Sequence, residues 1–157
     1  GSLTGTGATE EGRRFANGML SFYIDPKKID PEGFFPADVV EWMEGLALWY
    51  EDEHAIYVHA GLVEHNGRWL HPRETPDPTF LLWVRTMRFF QGYRGKRVVF
   101  GHTATDLLPN ELSSYTPEDP ADLWAGPCTI GLDTRCGRGG FLSAIELPKM
   151  KVYESRE

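Results

Sequence analysis

Two histidines in this chain follow one pattern, an apolar strand that runs out onto an imidazole. Val98 to Phe100 leads through Gly101 to His102, and Ala55 to Val58 leads to His59 with Gly61 just beyond. Apolar runs of this kind read as strands buried on both faces, and Gly101 is expected to let the chain turn where a Cβ would clash, leaving His102 at a carboxyl edge of a sheet. Ligand sites of open α/β sheets gather at such edges. Each histidine alone reads equally as a satisfied structural residue. Together, on neighbouring strand ends, they could be two ligands of one transition-metal site, because neutral imidazole is the commonest such ligand. Two ligands do not complete a site: structural zinc takes four, and catalytic zinc usually three from protein. Arg85, placed among large apolar residues in Leu81-Leu-Trp-Val-Arg85, needs an anionic partner. That partner is either a carboxylate in a structural ion pair or a phosphate, which the planar guanidinium grips in two-point fashion. His65 and His71 flank a turn and read as solvated loop histidines.

The elements that must position these side chains suggest an α+β chain, a mixed β-sheet with flanking helices. Pro36 to Tyr50 has Pro at a first helical position and Val39, Met43, Leu46, Ala47 and Tyr50 on one face, which predicts an amphipathic helix. Asn66-Gly67 between two short runs predicts a β-hairpin over Leu62 to Leu70. Pro78 to Phe90 reads as helix, and Leu107 to Pro127, with four prolines, as a long excursion that could rim a site. Cys128 to Leu132, Phe141 to Leu147 and Lys151 to Tyr153 read as strands in succession, which suggests an antiparallel edge. Asp133 to Gly140 is a glycine-rich loop between the first two.

At 157 residues and a formal charge of −7, with no basic cluster, the chain should bury a core, and it argues against nucleic acid or an anionic membrane surface as partner. The two cysteines, Cys128 and Cys136, form no CxxC pair, and no leader or bilayer-length apolar run is seen, so a reducing, cytoplasmic setting is expected. Residues 1–14 read as a disordered or linker remnant and 15–157 as the folded portion.

Four separated motifs, taken in order and spacing, carry a resemblance. Tyr57-Val-His-Ala-Gly-Leu62, Leu81-Leu-Trp-Val-Arg85, Val99-Phe-Gly-His-Thr103, and Asp133-Thr-Arg-Cys-Gly-Arg-Gly-Gly140 with Leu142-Ser-Ala-Ile-Glu-Leu147 resemble the calcineurin-like metallophosphoesterases. The match is to the bacterial phosphoprotein phosphatase and symmetrical diadenosine tetraphosphate hydrolase type. The resemblance implies a four-layer α/β/β/α sandwich and hydrolysis of phosphate esters at a two-metal site. It makes His59 and His102 metal ligands, Arg85 the catalytic residue that holds the substrate phosphate, and two divalent ions (Mn, Fe or Zn) the cofactor. Arg135 and Arg138 stand where the family usually has a glycine and an aromatic, and are expected to bind substrate beyond the scissile phosphate.

The family's Asp-x-His, Gly-Asp-x-x-x-x-Arg-Gly and Gly-Asn-His-Glu motifs do not occur in this sequence. The chain therefore resembles a carboxyl-terminal half, whose expected partners are a phosphorylated substrate and the missing amino-terminal half. A catalytically inactive remnant acting as a binding module is the competing expectation.

Overall fold

The computed structural model describes residues 37–156, so the expectations for residues 1–14 and for the start of the folded portion lie outside the described residues. The chain divides into two units between Ala47 and Leu48. Helix α1, Ala37–Glu44, falls in the first unit, and every strand described falls in the second.

The predicted helix over 36–50 is shorter than its apolar period suggests. It stops at Glu44 before Gly45, and Trp49–Glu51 is instead strand β1, antiparallel to β2, Ile56–Val58. Strand-favouring Trp49 and Tyr50 gain a cross-strand ladder there, with Tyr50 opposite Tyr57 at a ring separation of 5.8 Å. Asn66 and Gly67 take positive φ, 50° and 77°, and close the predicted hairpin between β3, Glu64–His65, and β4, Arg68–Trp69. That is the left-handed pair a two-residue type I′ turn requires.

Strand β5, Val98–Phe100, pairs in parallel with β2 on one side and with β7, Thr129–Gly131, on the other. With β6, Trp124–Ala125, antiparallel to β7, the five strands lie in the order β1-β2-β5-β7-β6. All three residues of β5 and of β7 are buried, as the apolar run of β5 demands. The last two strands, β8 (Ser143–Glu146) and β9 (Lys151–Glu154), form a separate antiparallel pair. The expected succession of edge strands is thus corrected: β7 lies inside the main sheet, because its pairing with β5 places Val99 opposite Ile130.

Alternate residues of a strand point to opposite faces, and the core divides accordingly. Ile56, Val58, Val98 and Phe100 pack with Phe89, Phe90 and Trp124 on one face. Val99 and Ile130 pack on the other, with Ile145 and Val152 of the β8–β9 pair against them. Phe90 stacks on Phe100 at 5.0 Å and both are nearly fully buried. Truncating such a ring to Ala costs on the order of 3–5 kcal/mol.

Residues 78–90 are not one helix. A 3-10 turn at Pro78–Leu82, capped by the Asp77 carboxylate on the Thr79 amide, is followed by irregular residues 83–86 and then by α2, Met87–Gly92. The break lets Leu81, Phe89 and Phe90 all reach the core while Arg85 stays outside. Among the described residues, no helix is long and apolar enough to cross a membrane.

Candidate functional site

The carboxyl ends of the three parallel strands β2, β5 and β7 lie side by side. The ladder continues past them through Gly101 N–H to His59 O and Leu132 N–H to Phe100 O, both 2.9 Å. This register brings His59, His102 and Asp133 to one edge, where they line an open cleft of about 420 Å³ with Tyr57, Cys136 and Phe141.

The turn that delivers His102 differs from the expectation in one respect. A Cβ on Gly101 would lie 3.7 Å from its nearest neighbour, the His59 carbonyl, an ordinary contact. The left-handed residue is His102 itself, at φ 65°, held in a three-residue turn closed by Thr103 N–H to Gly101 O at 2.6 Å. Turns of this type with positive φ are rare and strained, and strain of this kind concentrates at functional sites.

The strain aims the imidazole. His59 Nε2 and His102 Nδ1 are 3.1 Å apart, with ring centroids at 4.9 Å, and Trp83 packs edge-on against His102 at 5.7 Å. Burial depresses the pKa of His59. Burial, the Arg85 guanidinium and the neighbouring His59 together push His102 down to about 4. Both rings are therefore neutral at pH 7, the form that binds a metal. The 3.1 Å separation is that of a hydrogen bond between the two rings; two nitrogens held at about 2.0–2.1 Å by one tetrahedral ion would sit about 3.3 Å apart, so the rings are close to, but not posed as, a two-point bite. The fit is partial, because among the described residues no group of three or more His, Cys, Asp or Glu side chains is arranged to hold an ion.

Arg85 is exposed and donates from a terminal nitrogen to the His102 carbonyl at 3.1 Å. It makes no ion pair among the described residues. The remaining guanidinium donors stay available beside the two histidines.

The two loop arginines part company. Arg135 Nε donates to Asp106 Oδ1 at 2.8 Å in an ion pair, whereas Arg138 is exposed. Arg135 has φ 59°, a left-handed conformation that glycine adopts without cost. Gly140 is required because a Cβ there would come within 1.8 Å of the Thr134 carbonyl oxygen.

Asp133 was not singled out from the sequence as a site residue. It follows a third apolar strand just as the histidines follow theirs, so the same signal marks it once β7 is known to be parallel. Trp83 carried no signal beyond its apolar character. His71, read as a solvated loop residue, instead pairs with Glu51 at 2.9 Å and accepts the Arg73 amide at the start of a 3-10 turn, Pro72–Glu74.

No family model matches this chain, and no curated protein matches it. Among solved structures it is similar to the crystal structure of a candidate diadenosine tetraphosphatase. Identity is 21%, the TM-score is 0.49, and the match covers 90% of this chain and 60% of that one. The chain spans less than two thirds of the length of that structure.

Proposed function

We propose that this chain contributes part of a two-metal site for the hydrolysis of phosphate esters, either phosphoserine or phosphothreonine proteins or dinucleoside polyphosphates. The observation that carries this reading is the approach of His59 Nε2 and His102 Nδ1 to within 3.1 Å, hydrogen-bond distance, at a sheet edge. Partial burial lowers the pKa of both imidazoles, helped at His102 by the Arg85 guanidinium, which donates to the His102 carbonyl beside them. Divalent ions of the Mn, Fe or Zn type suit imidazole and carboxylate ligands and, when bound, supply Lewis-acid charge to the phosphoryl group and its attacking water. His59 and His102 are carried to that edge by the β2 and β5 strand ends. Arg85 offers fixed positive charge to a phosphoryl oxygen, which matters most as negative charge spreads in the transition state.

A second reading, a binding module without catalysis, is favoured by the lack of a third metal-binding side chain in place among the described residues. Metal analysis after Mn loading, joined to turnover of an aryl phosphate, separates the two. For the chain alone the expected result is sub-stoichiometric metal and turnover close to background. Appended to an amino-terminal half carrying the missing motifs, the same chain should bind two ions. Arg85→Ala in that complete protein should leave metal content unchanged and lower kcat/KM on the order of 100-fold, as loss of one preorganised donor does. Metal loss in the Arg85 variant would assign the residue a structural role, and no metal binding by the joined protein would favour the binding module.

A further inference from the structure

The connection between the 3-10 turn at Pro78–Leu82 and α2 grips His102 at two points. Residues 83–86 belong to neither element, and two of them reach the same histidine. The Trp83 ring stands nearly perpendicular to the His102 imidazole, with planes at 84° and centroids 5.7 Å apart, while the Arg85 guanidinium donates to the His102 carbonyl at 3.1 Å. One contact is to the ring and the other to the backbone, and the residue they share has a φ of 65°, which a side chain disfavours.

The connection is itself anchored to the strand end that carries the other histidine. Leu81 is fully buried, and its carbonyl accepts the Ala60 N–H at 2.9 Å, one residue beyond His59. The Trp83 and Val84 amides both donate to the Phe80 carbonyl at 3.1 Å. Gly61 packs so closely here that a Cβ on it would come within 3.2 Å of Val84 Cγ1 and 3.1 Å of the Phe89 ring. Trp83 is thus fixed against the end of β2 while its ring bears on the residue at the end of β5. The indole Nε1 is buried and has no hydrogen-bond partner among the described residues. A buried donor left unpaired opposes folding, so the indole keeps its place by the packing of its ring and not through its polar atom.

We infer that Trp83 is a positioning residue for His102. Its ring, with the Arg85 donor as the second point of a clamp, holds the left-handed turn and keeps His102 Nδ1 facing His59 Nε2 at 3.1 Å. Perpendicular ring pairs at this separation favour one mutual orientation, which an aliphatic side chain of similar bulk does not impose. Without the ring the imidazole regains rotamers, and the turn is left with the Arg85 contact alone from this connection. The inference rests on the functional reading above only in the use that reading makes of His102.

Hydrogen exchange and nuclear Overhauser contacts, measured by NMR on the full chain and two Trp83 variants, test this. In Trp83→Leu the Thr103 amide, which closes the turn on the Gly101 carbonyl, should exchange about tenfold faster, and the contact between the His59 and His102 rings should weaken. Trp83→Phe restores a ring without the indole N–H, and should return the exchange to within about threefold of the parent chain. The Val98 amide, bonded to the Cys128 carbonyl at the opposite end of β5, should be unchanged in both. A leucine variant that does not fold, or in which Thr103 and Val98 exchange faster together, would make Trp83 an ordinary core residue and overturn the inference. Unchanged Thr103 exchange, or failure of phenylalanine to restore it, would overturn it as well. These measurements need neither metal nor phosphate, so their outcome is separate from that of the metal and turnover assays that test the hydrolytic reading.

Discussion

His102 is asked to do two things that oppose each other. Its backbone sits at φ 65°, where a Cβ costs roughly 1–2 kcal/mol, and its half-buried ring packs against Trp83 and His59. The ring cannot be removed without also exposing the backbone preference, and the two effects separate cleanly by substitution. His102→Gly should be more stable than His102→Ala by about 1 kcal/mol, since only glycine takes this conformation freely. The pH dependence follows from the same residue. An unfolded histidine titrates near 6.5, and folded His102 near 4. Between those values the unfolded chain takes up a proton that the native ring refuses, so stability falls as pH drops from about 6.5 to about 4 and levels off below. Both substitutions should flatten that slope, leaving the part due to His59, whose pKa is shifted the same way. Denaturant melts of the three proteins across this range measure both effects. An alanine variant as stable as the glycine variant would mean the left-handed turn is not populated in solution.

At the scale of elements, β2 and β5 were legible as strands because runs such as Val98-Val-Phe100 are apolar without alternation, as in a strand covered on both faces, whereas the parallel place of β7 was not. The hairpin at Asn66-Gly67 was legible because its backbone demand is local. The helices were not. Residues 46–50 fit a helical period, yet pairing Trp49 and Tyr50 with β2 gains more than another helical turn next to Gly45. Residues 83–86 break a plausible helix so that Leu81 and Phe89 can enter one core. These are tertiary gains that a periodic pattern does not register. Of the site, the two histidines and Arg85 were legible and come together, whereas Asp133 required knowing which strands are parallel. The glycine-rich loop adds a test at this scale. Arg135 holds a left-handed backbone and an exposed ion pair to Asp106, and such pairs contribute little. Arg135→Gly should therefore raise the melting temperature by a few degrees at most, and Arg135→Ala should lower it, because alanine loses the ion pair and keeps the strain. A glycine variant that melts below the alanine variant would show that the Asp106 pair holds the loop.

At the scale of the whole molecule, the open question is what covers the second face of the five-stranded sheet. Its first face is filled by large rings, Phe89, Phe90, Phe100 and Trp124. Its second is covered in part by the β8–β9 pair, whose Ile145 and Val152 pack on Val99 and Ile130. Two strands are a narrow layer over a five-stranded sheet, and a two-stranded sheet is marginal unless something extends it. Among the described residues neither β8 nor β9 has a second neighbour, so each presents an unpaired row of backbone donors and acceptors. Beside them Leu142 and Tyr153 are 60% and 47% exposed. Such an edge can be extended by further strands, and another copy of the chain offers the same edge. The chain by itself should then associate with rising concentration, and light scattering should show a mass above that of one chain in the micromolar range. Tyr153→Lys, which sets a charge beside the open edge without touching the buried side of β9, should shift the association to higher concentration. A mass of one chain that stays constant up to millimolar concentration would mean that the edge is already satisfied within the chain.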